Sequence, residues 1–208
     1  MLAPSSPTIV YSNPFIDQST TVFNYTLPLP PPPDDPEDEE VVIDTAELAM
    51  AHFDEAMEAF RQANYKQALA LVDEAIEKLP EDATLHEFRA LCLFALKEYQ
   101  QAAATLYAVI AAGPGWDWET MKSLYPDVET YTEQLRALEA FQKANPKSSY
   151  ASFVLAYHYL TLGHLDSAIK QLEHVVKTLP ESQLTAQLLG ALHEESSRQS
   201  APVPASAP

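Results

Sequence analysis

Apolar residues recur at intervals of three and four along most of this chain, with polar and charged residues between them. Such spacing places the apolar residues on one face of a helix. Asp44, followed three residues later by Glu47, is suited to cap the first helix. The spacing predicts helices over 44–62, 65–79, 82–96, 99–112, 116–124, 127–144, 148–162 and 165–178, and a ninth after Pro180.

Four of these predicted helices end next to a proline, and the prolines are almost evenly spaced. Intervals of 34, 32 and 34 residues separate Pro80, Pro114, Pro146 and Pro180. Proline ends a helix because it has no N–H to donate and clashes with the preceding turn. A period near 34 residues is typical of stacked helix–turn–helix units. The chain is therefore expected to be a repeat protein.

Other residue types recur at fixed distances before these prolines. Fifteen residues before each proline stand Tyr65, Tyr99, Tyr131 and Leu165. Twelve residues before them stand Ala68, Ala102, Gln134 and Ala168. Small residues allow two antiparallel helices to approach closely, and an aromatic ring near the turn fills the space between them.

With these features the chain resembles the tetratricopeptide-repeat family. The segments NYKQALALVDEAIEKLP, EYQQAAATLYAVIAAGP and HLDSAIKQLEHVVKTLP match the second-helix pattern of that family. The resemblance covers roughly Ala49 to Pro180, with a shorter, degenerate unit between Gly115 and Pro146. It implies an all-α fold, a right-handed superhelical solenoid of antiparallel helix pairs. About four units are expected, the third degenerate, followed by a C-terminal capping helix.

The two ends of the chain differ from this helical part. Residues 1–43 hold nine of the 17 prolines and run into an acidic block, so we expect an extended tail there. Residues 196–208 are rich in Ser, Ala and Pro and are predicted to be disordered, which leaves 44–195 for the folded domain. The N-terminal tail also carries two apolar clusters, TIVYSNPF and TTVFNYTLPL.

Charge narrows the classes of partner. The chain carries 30 acidic and 12 basic residues, a formal net charge of −18. Such a field repels phosphate, so neither nucleic acid nor an anionic membrane surface is an expected partner. No run approaches the roughly 20 apolar residues of a membrane span. The first basic residue is Arg61, so the start of this sequence lacks the positively charged region of a secretory signal. We therefore expect a soluble, cytoplasmic protein, and the single Cys92 fits a reducing compartment.

Residue patterns that would support catalysis or metal binding are missing. The four glycines form no phosphate-binding loop, and the six histidines form no paired helical motif with an intervening acid. Cys92 is predicted to be a buried, inert thiol within a helix. The sequence therefore predicts no catalytic residue, no metal site, no cofactor and no enzyme activity.

In the tetratricopeptide-repeat family, the first helix of each unit lines the concave face. Carried over position by position, the resemblance implies these partner-binding residues: Met50, Phe53, Met57, Phe60, Leu91, Phe94, Trp116, Tyr150, Phe153 and Tyr157. Family members that hold the acidic C-termini of chaperones use lysines and an asparagine on this face. Phe53 and Met57 occupy two of those positions here, so an apolar segment is the better expected ligand. Trp118 falls on a position where the family commonly keeps a core tryptophan.

Two functions follow. The first is a non-enzymatic protein–protein interaction scaffold whose concave groove binds an apolar or amphipathic segment of another protein. The alternative is a structural subunit of a larger assembly, with the N-terminal tail docked intramolecularly in the groove. A short tether supplies an effective concentration on the order of millimolar, so even a weak site would be filled.

Overall fold

The computed structural model describes residues 12–16 and 36–200, with side chains described from residue 45 to 199 of the longer range. In this part of the chain the secondary structure consists of helices, without strands. They are α1 (Pro36–Arg61), α2 (Tyr65–Lys78), α3 (Ala83–Ala95), α4 (Tyr99–Ala112), α5 (Trp118–Leu124), α6 (Val128–Ala144), α7 (Ser149–Thr161), α8 (Leu165–Thr178) and α9 (Gln183–Ser200). The all-α prediction is confirmed, and most of the predicted helix boundaries lie within two residues of those observed.

The outer ends of the first and last helices differ from the prediction. Helix α1 begins at Pro36 and not at Asp44. Proline suits the first turn of a helix because its missing N–H needs no partner there. Helix α9 continues to Ser200, so the start of the predicted disordered end at 196–208 is helical. Residues 201–208 lie outside the described residues.

Side-chain caps explain where several helices begin. Asp82 accepts hydrogen bonds from two backbone N–H groups of α3, and Asp117 and Asp127 accept one each from the first turns of α5 and α6. Ser148 caps α7 in the same way. These bonds satisfy N–H groups that have no partner within the helix. Hydrogen bonding to Thr130 and Thr120 lowers the pKa of Asp127 and of Asp117, respectively.

A left-handed backbone conformation marks the turn inside three helix pairs. Ala63 between α1 and α2 has φ 60°, Lys97 between α3 and α4 has φ 65°, and Gly163 between α7 and α8 has φ 74°. Each residue stands 17 positions before its terminal proline. The equivalent position in the short third unit, Glu129, lies inside α6. The third unit therefore lacks the turn that closes the other pairs.

The order in which the helices pack on one another also sets the third unit apart. Helices α1 to α4 pack each on the next, then α4 packs on α7, α7 on α8 and α8 on α9. The proline register predicted a third unit stacked between the second and the fourth. Instead, the α7–α8 pair stacks directly on the α3–α4 pair. Helix α5, with only seven residues, contacts α1, and α6 contacts α7.

We call residues 118–144, which contain α5 and α6, the crossing segment, since its side chains reach α1, α3 and α7. The ring of Tyr125 lies 5.0 Å from that of Phe60. The ring of Tyr131 lies 6.5 Å from Phe94 and 5.7 Å from His158. Gln134, at the position where regular units have alanine, donates a hydrogen bond of 2.9 Å to the Tyr65 hydroxyl.

Helix α9 packs on α8. Leu184 is buried, and Leu188, Leu189 and Leu192 are half-buried against the core. This placement matches the apolar side predicted for the ninth helix. Over the described residues, the helices are too short or too polar to cross a lipid bilayer.

Candidate protein-binding surface

The residues predicted to bind a partner differ widely in exposure. Five of them are buried in this structure: Phe60, Leu91, Phe94, Phe153 and Tyr157. Phe53, Met57, Trp116 and Tyr150 are half-buried, and Met50 is exposed. An incoming segment could therefore reach only the half-buried and exposed residues without rearrangement of the protein.

The crossing segment covers part of the predicted binding face. Phe60 and Phe94, both predicted partner contacts, pack against Tyr125 and Tyr131 of that segment. Tyr131 also contacts Trp118, whose ring lies 5.0 Å away. Trp118 thus packs in the interior cluster, as the sequence predicted. An aromatic segment of the same chain lies where the family resemblance placed the end of the groove.

His158 contacts this segment, a contact that the sequence did not predict. Its ring centroid is 4.0 Å from that of Phe94, and its Nδ1 lies 3.3 Å from the Tyr131 hydroxyl oxygen. Burial lowers the pKa of His158 to about 3. The imidazole is therefore neutral near pH 7.

A buried carboxyl group, that of Glu87, connects three parts of the molecule. Glu87 of α3 is only 4% exposed. Its Oε1 accepts a hydrogen bond of 2.5 Å from the Tyr157 hydroxyl of α7 and one of 2.6 Å from the Trp116 N–H. Burial raises the pKa of Glu87, although both donors act to lower it. No sequence signal connects Glu87 with Tyr157, which is 70 residues away.

Gly115 lets the loop before α5 pass close to this carboxyl group. A Cβ atom at this position would lie 2.8 Å from Glu87 Oε1 and 2.8 Å from Tyr157 Cε2. Both groups are buried and hydrogen-bonded to each other, so neither can move away cheaply. We expect Gly115→Ala to lower the free energy of unfolding by about 1–3 kcal/mol, measured by urea denaturation.

Gly113 in the same loop offers a matched control. A Cβ atom there would meet nothing within 4 Å, and the residue has an extended backbone with φ 174°. Gly113→Ala should change the free energy of unfolding by less than about 0.5 kcal/mol. Equal effects of the two substitutions would contradict the close approach as the cause.

Among the described residues, two of the three exposed large apolar side chains lie on α1. Leu48 is 45% exposed and Met50 39% exposed, and Phe53 and Met57 follow on the same helix. Met50, Phe53 and Met57 share one helix face because they are three and four residues apart. The ring of Phe53 packs edge-on against Phe88 at 5.2 Å. We call Met50, Phe53 and Met57 the α1 stripe; Met50 is exposed, and Phe53 and Met57 are half-buried against the core.

Residues 12–16 lie elsewhere, in the seam between α4 and α7. The ring of Phe15 lies 5.8 Å from Tyr107 of α4 and 5.1 Å from Phe153 of α7. Phe153 is one of the predicted partner-binding residues, whereas nothing in the sequence marked Tyr107. The second apolar cluster of the tail, TTVFNYTLPL, lies outside the described residues.

The described residues offer little to support bond-making chemistry. They contain no group of three or more His, Cys, Asp or Glu side chains that could hold a metal ion. Cys92 is buried, as predicted, and burial raises the pKa of its thiol far above the ordinary value. A thiol held in its neutral form is a poor nucleophile.

Comparison with known proteins agrees with this architecture. The family model described as "Tetratricopeptide repeat" matches residues 53–115 and 132–181, more than half of the chain. The stretch between the two matches contains α5 and the start of α6, the part that departs from regular stacking.

Two solved structures are similar to this chain. One is the NMR structure of the first TPR domain of the human RPAP3 protein, with 16% identity, 75% of this chain and 99% of that chain covered, and a TM-score of 0.34. The other is MamA 41-end from Desulfovibrio magneticus RS-1, with 21% identity, coverage of 74% and 86%, and a TM-score of 0.32. From the family match, the chain belongs to the tetratricopeptide repeat family, whose fold typically mediates protein–protein interactions without catalysing a reaction.

Proposed function

We propose that this protein is a non-enzymatic interaction scaffold that binds an apolar or amphipathic segment of another protein. The observation that carries the proposal is the α1 stripe. Met50 is exposed at one end of it, and the half-buried Phe53 and Met57 continue it toward the core. Contiguous apolar side chains at a protein surface commonly mark an interaction site.

The chemistry of the stripe defines the class of ligand. Met50 and Met57 are flexible and polarizable, so they can adapt to the shape of an apolar side chain. An amphipathic helix presents such side chains three and four residues apart, which matches the spacing along α1. The net charge of −18 favours a partner with basic residues beside its apolar face.

The crossing segment supports this mode of binding. It already places the aromatic rings of Tyr125 and Tyr131 on Phe60 and Phe94. The first helices of the repeats thus bind an apolar helical segment of the same chain at one end. A partner segment on the α1 stripe would extend the same kind of contact toward the start of α1.

The proposal is tested by substitution of one exposed residue and recovery of partners. We expect full-length Met50→Glu to retain its helicity and to bind the partner recovered with the wild-type protein at least about tenfold more weakly. Affinity capture from the source cell's extract, followed by titration of the recovered partner, measures this.

Val128→Glu is the matched control, since Val128 is 45% exposed but lies on α6, away from the stripe. It should leave the affinity unchanged. Wild-type affinity in both Met50→Glu and Met57→Glu would rule out the stripe as the binding site.

A second candidate function is a structural subunit of a larger assembly with the N-terminal tail docked intramolecularly. It is favoured by the contacts of Phe15 with Tyr107 and Phe153. Chymotrypsin should then cleave slowly after Phe15 in the native protein and rapidly after denaturation. Purification of the protein from its source as a strict monomer would argue against the assembly.

A further inference from the structure

Residues 13–15, Asn-Pro-Phe, form a compact turn with its own internal bond. The Asn13 side-chain Oδ1 accepts a hydrogen bond of 3.1 Å from the Phe15 N–H. Pro14 between them has a restricted φ angle and no N–H that would need a partner. Asparagine commonly makes such a bond to the backbone two residues on. A turn that is stabilised internally loses little conformational entropy when it binds.

The same asparagine also connects the turn to α4. Its Nδ2 donates a hydrogen bond of 2.7 Å to the backbone carbonyl oxygen of Ala104. A helical carbonyl has a second lone pair, so it can accept this bond in addition to its intrahelical one. Both ends of the Asn13 amide are therefore used, one within the turn and one on the helix. Aspartate could preserve the first bond but not the second.

The phenylalanine of the turn enters an aromatic slot. Phe15 is only 5% exposed. It meets Tyr107 edge-on and Phe153 at an interplanar angle of 42°, and the two slot rings lie 5.7 Å apart. Aromatic pairs at such distances contribute beyond the apolar area they bury.

A buried hydroxyl network holds one wall of the slot in place. The Tyr107 hydroxyl lies 3.2 Å from Ser182 Oγ, which in turn lies 2.7 Å from Thr185 Oγ1. Ser182 and Thr185 are both buried at the start of α9. Buried and satisfied hydroxyl groups restrict the rotamers of the side chains that carry them. The slot therefore has walls from α4 and α7 and a support from α9.

From these contacts we infer that the seam between α4 and α7 is a recognition slot for an Asn-Pro-Phe turn. In this structure the turn at 13–15 of the same chain fills it. A partner protein that presents the same turn binds the slot by displacing this segment. The inference rests on the proposed protein-binding function but uses a surface separate from the α1 stripe.

The test uses a labelled peptide of residues 10–18 and the full-length protein with Phe15→Ala, which empties the slot. Fluorescence polarisation should show saturable binding of the peptide to this variant. Wild-type protein should bind the peptide about tenfold more weakly, because its own turn competes at an effective concentration on the order of millimolar. A Phe15→Ala variant with native helicity that fails to bind at millimolar concentration would overturn the slot.

Asparagine-to-aspartate substitution supplies the matched specificity control. The peptide with Asn13→Asp keeps the acceptor oxygen of the turn but loses the donor to the Ala104 carbonyl. It should bind at least about fivefold more weakly than the parent peptide. Equal affinity would overturn the role of this donor. Should Phe15→Ala not fold, the full-length Asn13→Asp protein replaces it, because its own turn is held less tightly in the slot. This variant should bind the parent peptide more tightly than the wild-type protein does.

Two further measurements separate the alternatives. Met50→Glu should leave peptide binding unchanged, so the slot and the α1 stripe can fail independently. The mass of the wild-type protein in solution reports whose turn occupies the slot. A wild-type dimer that Phe15→Ala converts into a monomer would overturn the intramolecular assignment and place the turn of a second copy there.

Discussion

Replacement of Tyr131 by alanine is expected to lower the free energy of unfolding by about 3–5 kcal/mol. Tyr131 is among the largest fully buried side chains of the described residues. Its ring contacts Phe94, Trp118, Tyr125 and His158, and so connects the crossing segment with α3 and α7. Alanine would leave a cavity between elements that are far apart in sequence, and neighbouring side chains can fill such a cavity only partly.

Urea denaturation followed by circular dichroism measures this loss. Tyr131→Phe is the matched control, because it keeps the ring and removes only the hydroxyl near His158 Nδ1. It should cost about 1 kcal/mol, the usual net value of one hydrogen bond. Hydrogen exchange should also show that Tyr131→Ala loses protection mainly within 118–144. A loss below about 1 kcal/mol for Tyr131→Ala would contradict the structural role assigned to this ring.

Stability is also expected to fall steeply as the pH drops below 6.5. Burial lowers the pKa of His158 from the ordinary histidine value of 6.5 to about 3. Between these values the unfolded chain binds a proton at this histidine and the folded chain does not, so lower pH favours unfolding. From pH 6.5 to pH 4.5 this histidine alone should remove about 2–3 kcal/mol of stability.

Glu87 gives stability the opposite dependence on pH. Burial raises the pKa of its carboxyl above 4.5, so the folded protein holds this proton more tightly than the unfolded chain. Its contribution is present below pH 4.5 and is lost as the pH rises through the raised value. The expected dependence of stability on pH is therefore the sum of these two opposite contributions, one from His158 and one from Glu87. A direct comparison of variants is needed to isolate His158.

His158→Gln provides that comparison, with urea denaturation repeated between pH 4.5 and pH 7. The slope of stability against pH is the readout, so a general loss of stability does not obscure the result. The slope should flatten in His158→Gln, because the unfolded chain then no longer gains a proton at this position. A wild-type slope in His158→Gln would show that this histidine does not remain neutral in the folded protein.

The sequence alone determined the helices and the family. Helix positions follow from the 3.6-residue spacing of apolar side chains and from the stop that each proline imposes, and both are local effects. The burial of Cys92 was predicted for the same reason, whereas the packing of Trp118 was implied by the family resemblance. The turns at Ala63, Lys97 and Gly163 repeat with the prolines, so they too follow from the local pattern.

The start of α1 differs from the prediction made from composition. Composition assigned the acidic residues before Asp44 to an extended tail, yet α1 already begins at Pro36. Both readings rest on real physics, since an acidic run is well solvated as coil and also well placed in the first turns of a helix. In the structure, the helical backbone of α1 extends back to Pro36.

Which apolar surfaces are buried and which are exposed depends on the tertiary structure. An apolar face on α5 or α6 is equally able to pack between α4 and α7 or to cross the first helices, and its periodicity does not distinguish these cases. The choice depends on whether Tyr125 and Tyr131 fit against Phe60, Phe94 and His158, which are remote in sequence. The same holds for Glu87 with Tyr157 and for Phe15 with Tyr107 and Phe153. Local sequence determines which helices form, whereas complementarity between distant side chains decides which surfaces are buried and which remain open to a partner.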